Sequence, residues 1–149
     1  MKLEEQITQQ KFRNQFHKLA VNIIYTHSRL MDHFSNIFNK YDITPNQYNI
    51  LRILRGQYPN PATINLLKER MLDKMSDASR MVERLRLKGF VERAKSAKDR
   101  RMADVIISEN GLELLRKIDK YDTQFDSFFE SLSEKEAETL NNLLDKIRI

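Results

Sequence analysis

Residues 76–111, SDASRMVERLRLKGFVERAKSAKDRRMADVIISENG, change pattern three times and so decide the fold. Ala78, Val82 and Leu85 stand four and three residues apart, one face of an α-helix, while Ser76, Asp77, Ser79, Arg80, Glu83, Arg84 and Lys88 occupy the other. Gly89 follows, the residue type that takes the left-handed conformation closing a helix. Phe90 to Arg93 then reads as a strand, and Met102 to Ile107 as a second one with Ala103, Val105 and Ile107 on one side. Between them runs the polar connection from Ala94 to Arg101, so the expected element is a hairpin whose tip gathers Arg93, Lys95, Lys98, Arg100 and Arg101.

Upstream, a helix over Ala62 to Met71 carries Ile64, Leu67 and Met71 on one face, and the Ser76 helix begins only a few residues later. Before it, Thr44-Pro45 offers an N-cap followed by proline at the first helical position, opening a helix from Pro45 to about Arg55. Its inward residues are Tyr48, Leu51 and Leu54, and Gly56, Pro59 and Pro61 are expected to stop it. Earlier still, Phe12, Phe16, Leu19, Ile23, Leu30, Phe34, Ile37 and Tyr41 keep helical steps, with His27 in the one gap, which predicts a single long amphipathic helix ending near Asp42. Downstream, Ser108 caps a helix bearing Leu112, Leu115, Ile118, Tyr121, Phe125 and Phe128 as far as Leu132. Ser133-Glu134-Lys135-Glu136 has the form of a capping box and opens a last helix with Ala137, Leu140, Leu143, Leu144 and Ile147.

The expected fold is therefore mainly α with one small β-hairpin. The 149 residues, 40% hydrophobic with three Gly and three Pro, suit one unit that needs neither disulfides nor a structural metal. The absence of Cys excludes disulfides, thiolate metal sites and thiol-based redox sensing, and suits a reducing cytoplasm. No apolar run reaches the roughly 18 residues of a membrane span, and the polar, acidic start MKLEEQITQQ lacks the form of an export signal, so a cytoplasmic chain with no membrane association is expected. His17, His27 and His33 are spaced ten and six apart and do not converge on one helix face, so no metal site is expected.

Charge is uneven. Residues 68–101 hold twelve Lys/Arg against six Asp/Glu, and residues 112–149 nine Asp/Glu against six Lys/Arg. A basic block inside a folded segment is the footprint of a surface that meets phosphates, although a charge run also fits a solvated helix face. Two helices joined by a tight turn, the second with an apolar back and polar front, satisfy the requirements of a helix-turn-helix with one helix in the major groove. The residues suited to reach base edges are Ser76, Asp77, Ser79 and Arg80, while Arg84, Lys95 and Lys98 suit phosphates. The charged hairpin fits a wing in the adjacent minor groove. Asp99, two residues before Arg101, reads either as a carboxylate holding that guanidinium extended or as half of a solvated ion pair.

The blocks Arg80-Met81-Val82-Glu83-Arg84-Leu85, Lys88-Gly89-Phe90-Val91-Glu92-Arg93, Asp99-Arg100-Arg101 and Val105-Ile106-Ile107-Ser108-Glu109-Asn110-Gly111, in this order and spacing, resemble the MarR family of bacterial transcription regulators, and the resemblance covers essentially the whole chain. It implies a winged helix-turn-helix lobe (about 45–108), dimerisation helices on either side (about 4–42 and 109–149), and a homodimer on a palindromic double-stranded operator. It also implies a minor-groove contact by Arg101, steadied by Asp99, and a small-molecule effector between the dimer helices and the DNA-binding lobe. Phe12 and Phe16, with Leu140, Leu143, Leu144 and Ile147, are the expected dimer residues. Asp77 departs from the small hydroxyl residue usual in the family: it either accepts from a cytosine N4 or caps the helix. His17, Tyr25, His27 and Tyr48 read as pocket polar groups or as packing residues.

No catalytic site is expected. There is no glycine-rich phosphate loop, paired His-carboxylate motif or G-x-S-x-G element, and no cofactor is implied. The alternative to a DNA-binding regulator is the same fold with its basic face turned to an acidic protein partner.

Overall fold

The computed structural model describes residues 1–95 and 103–148. Its order is α1 (Leu3–Gln6), α2 (Gln15–Phe38), α3 (Pro45–Gln57), α4 (Ile64–Arg70), α5 (Ala78–Leu87), β1 (Val91–Lys95), β2 (Ala103–Ile107), α6 (Glu109–Asp119), α7 (Asp122–Asp126) and α8 (Glu134–Ile147), with single 3₁₀ turns after α2 and α7. This is the mainly helical architecture with one hairpin that the periodicity predicts.

The helix starts obey capping chemistry. Thr44 and Ser133 each form a capping box, with Gln47 and Glu136 respectively, and Ser108 accepts from the Gly111 N–H at 3.1 Å. Each such cap satisfies a backbone donor that the first helical turn leaves free. Gly89 sits at φ +80°, as the end of α5 requires.

One core gathers α3, α4, α5, the hairpin and α6. Leu51 and Leu54 from α3, Leu67 from α4, Ala78, Val82 and Leu85 from α5, Val91, Val105 and Ile107 from the hairpin, and Leu115 and Ile118 from α6 are all buried in it. Each large aliphatic side chain so placed contributes about 1.5–3 kcal/mol. The strands pair antiparallel with Val91 opposite Ile107 and Arg93 opposite Val105, which turns the apolar side inward. Gly111 makes the closest approach: a Cβ there would stand 2.3 Å from the Phe90 carbonyl oxygen and 2.6 Å from the Ile107 side chain. The start of α6 rests directly on the hairpin for that reason.

Several boundaries differ from the sequence reading, among them α5, which begins at Ala78 rather than Ser76, and β1, which runs from Val91 to Lys95 rather than from Phe90 to Arg93. Phe12 precedes α2, whose cap is Asn14 accepting from the His17 N–H, because a polar cap outranks an apolar residue that merely keeps the spacing. A one-turn helix, α1, lies ahead of it in sequence and beside it in space, with Glu4 bonded to Lys18 and Gln6 to Tyr25. Gly56 lies inside α3, which continues to Gln57; glycine weakens a helix without ending it. Ala62 belongs to no helix and exchanges both backbone hydrogen bonds with Val105, at 2.7 and 2.8 Å, adding a third, one-residue rung to the hairpin. The segment after Ser108 is not one helix: α6 ends at Asp119, and α7 and a 3₁₀ turn follow, although the apolar spacing runs on unbroken.

No described helix is long and apolar enough to cross a membrane, and no group of three or more His, Asp or Glu among the described residues is placed to hold a metal.

Candidate nucleic-acid interface

The α4–turn–α5 unit is fastened to α3 through side chains. Asn49 Oδ1 accepts from the Leu72 N–H at 2.9 Å, and Asn46 Nδ2 donates to Asp73 Oδ2 and Ser76 Oγ, both at 3.0 Å. Asp73 Oδ1 accepts from the Met75 N–H at 3.0 Å. That N–H, then the Ser76 and Asn46 side chains, hold the Asp73 carboxyl below its ordinary range. Three residues apart, Asn46 and Asn49 share a face of α3; their partners were invisible in sequence because they come from the turn.

Asp77 is the N-cap of α5: its side chain accepts from the Arg80 N–H at 3.0 Å. The carboxylate is thereby aimed at the positive end of the helix. Ser76 lies one residue before the cap. Within α5, Ser79, Arg80 and Arg84 are exposed and lie opposite the buried Ala78, Val82 and Leu85. Arg80 and Arg84 make no ion pair among the described residues, so their guanidinium charge is available to an anionic partner.

Other cations are engaged. Glu83 pairs with Arg86 at 2.7 Å and reaches Arg93 of β1 at 4.0 Å, a link from α5 to the hairpin that the sequence reading did not foresee. The hydrogen bonds from Arg86, and then the charges of Arg86 and Arg93, hold the Glu83 carboxyl below its ordinary range. Lys88, at the end of α5, donates to the Asp42 carbonyl and stands 3.5 Å from its carboxylate. Asp42 itself adopts φ +53° where α2 turns into α3. Asp42, Thr44, Gln47, Arg84 and Lys88 line a recess at this corner.

At the hairpin, Lys95 lies in β1 opposite Ala103. Lys98, Asp99, Arg100 and Arg101 lie outside the described residues.

A different surface runs along α2 and α8. Phe16 is 80% exposed, and Leu19, Ile23 and Ile24 are also exposed. In α8 no residue is buried: Leu143 and Ile147 are 55% and 56% exposed, Leu140 is exposed and Leu144 half-buried. Phe12 is half-buried against His17, ring centroids 5.6 Å apart.

Where α2 meets the lobe, aromatic rings close together: Phe34 on Phe125 at 5.2 Å and Phe38 on Tyr48 at 4.5 Å. His33 Nε2 donates to the Gln124 carbonyl at 2.7 Å, and Arg52 donates to the Tyr48 hydroxyl at 3.0 Å. Arg55 grips Asp119 with two bonds of 2.8 and 3.2 Å, tying α3 to α6. His17 is half-buried and accepts from the Arg13 N–H, Tyr25 bonds to Gln6, and His27 is exposed.

Residues 41–102 match the sequence model of the MarR family. The chain is 25% identical over 122 residues to the HTH-type transcriptional repressor IacR of Pseudomonas putida, covering 81% of this chain and 72% of that protein. It is 24% identical over 131 residues to the HTH-type transcriptional regulator MhqR of Bacillus subtilis, covering 87% and 89%. Among solved structures, a mutant MarR of E. coli complexed with operator DNA superposes with a TM-score of 0.80 at 23% identity, over 93% of this chain and 99% of that one.

Proposed function

We propose that this chain is a DNA-binding transcription regulator of the MarR family, whose sequence model matches residues 41–102, and that it acts as a homodimeric repressor on an inverted-repeat operator, released by a small molecule. The observation that carries the reading is α5 itself. Its start is capped and fastened to α3, and Ser79, Arg80 and Arg84 stand exposed on the face away from the core. An amphipathic helix held this way presents its polar front to the major groove. Ser76, Ser79 and Arg80 read base edges and Asp77 sets the helix start. Arg84, Lys95 and Lys98 position on phosphates, and Arg101, steadied by Asp99, occupies the minor groove.

The apolar stripes of α2 and α8 support the dimer. Phe12, Phe16, Leu140, Leu143, Leu144 and Ile147 meet the same residues of a second copy, and the two-fold axis sets the two α5 helices about one DNA turn, roughly 34 Å, apart. Residues 4–42 and 109–149 then form the dimerisation part and 45–108 the DNA-binding lobe. The effector fits the aromatic junction of α2, α3 and α7, where it would bias one arrangement of lobe and dimer helices over another.

Selection of bound sequences from a random duplex pool, followed by affinities at several salt concentrations, tests this. The expected result is an inverted repeat with half-sites about 10 bp apart and affinity that falls steeply with salt. Salt-sensitive binding to any duplex, with no sequence enriched, would overturn it and favour an acidic protein partner. Arg101→Ala is expected to weaken operator binding and flatten the salt dependence.

A further inference from the structure

The turn between α4 and α5 carries two large apolar side chains in water: Leu72 is 85% exposed and Met75 94%. Neither side chain belongs to the core cluster. Nor do they belong to a loose loop. The Leu72 N–H is held by Asn49, the Met75 N–H by Asp73, the Ser76 N–H by the Asp73 carbonyl at 3.3 Å, and the Ser76 hydroxyl by Asn46. Met75 thus has a fixed backbone and a free side chain, two residues ahead of the cap of α5.

A helix that enters the major groove by its N-terminus carries that position to the base edges with it. The apolar group exposed there is the C5-methyl of thymine. Methionine, unbranched and polarizable, packs on such a methyl without demanding one geometry.

We propose that Met75 is a specificity-determining residue that packs on a thymine C5-methyl in each half-site. The proposal rests on the reading of α5 as the groove helix. Because the backbone at Met75 is already ordered, contact requires ordering only its side chain. The contact displaces no counterions, so it adds discrimination without adding to the salt dependence.

The test uses the full-length protein and the operator recovered by selection, with each thymine replaced in turn by deoxyuridine, which removes only the methyl. For the unaltered protein, replacement at that position in one half-site is expected to reduce affinity about fourfold, and in both half-sites about fifteenfold. Met75→Ala is expected to bind the thymine operator with the same deficit, to lose the thymine-over-uracil preference there, and to keep its salt slope. Leu72→Ala is expected to retain the preference. The proposal is overturned if Met75→Ala keeps full discrimination at every position, if Leu72→Ala is the variant that loses it, or if the unaltered protein binds its operator with no methyl preference. Failure of the unaltered protein to select any operator strikes instead at the groove-helix reading, and the proposal falls with it.

Discussion

The winged helix-turn-helix lobe and the helices that flank it are written in the same alphabet and come out differently. In α5, Ala78, Val82 and Leu85 are sealed inside a core closed by α3, α4, α6 and the hairpin. In α8, Leu140, Leu143 and Ile147 keep the same helical spacing and stay in water. Periodicity therefore announces a face that needs covering without naming the cover. The lobe closes its own core, whereas the apolar residues of α8 are left uncovered.

The largest effect expected from breaking that contrast is in the core, where α6 seats on the hairpin. Gly111→Val places a side chain where the Phe90 carbonyl and Ile107 already stand, and should destabilise the fold by about 3 kcal/mol; an unchanged urea midpoint would mean that α6 lifts off the hairpin freely. Next comes the flanking face. The pair Leu143→Glu and Ile147→Glu should weaken self-association about 100-fold or more by burying charge in an apolar seam. Far-UV circular dichroism should be unaltered and sedimentation equilibrium should show monomer; a persisting dimer would remove α8 from the interface.

Asp77→Ala separates two roles of one carboxylate. Loss of the cap should cost about 1 kcal/mol of stability, and Asp77→Ser should restore it. If the acid chiefly opposed phosphate, the alanine variant would instead bind DNA more tightly, so stability and affinity are to be measured together.

The smallest effect concerns Glu83, which joins α5 to β1. Its carboxyl is held below the ordinary value of 4.5 in the folded chain, first by the Arg86 hydrogen bonds. The stabilisation is therefore complete above that value and is lost as pH falls through the lower folded one. Thermal melts at low salt should show a small acid-side loss that Glu83→Gln abolishes, and added salt should shrink it.

Much of the lobe was legible because its signals are local. A capping residue, a left-handed glycine and a three-residue apolar face each lie within one or two turns of the chain, and Thr44, Ser108, Ser133, Gly89 and the α5 triplet stand where those signals put them. What escaped depends on partners distant in sequence. A single rung between Ala62 and Val105 has no pattern to detect, and Asn46 and Asn49 look like ordinary polar positions until the turn is brought against them. The break between α6 and α7 escaped for the opposite reason, since Leu115, Ile118, Tyr121 and Phe125 keep helical spacing across it. For the side proposed to face DNA, residue type identified the candidates, but only the fold showed that Arg86 and Arg93 are drawn to Glu83 while Arg80 and Arg84 are not.

The corner at Asp42 makes a mechanical point. The twenty-four residues of α2 lead into it, a helix about 36 Å long at 1.5 Å per residue, and Lys88 moors the end of α5 to the same corner. A rod that long is a gearing: a tilt of about 5° at the pivot displaces the far end by about 3 Å, close to one step of the DNA ladder. In the proposed dimer the distance between two such lobes would follow from that angle, and a few degrees at the pivot would separate one in phase with its operator from one a base pair out of step.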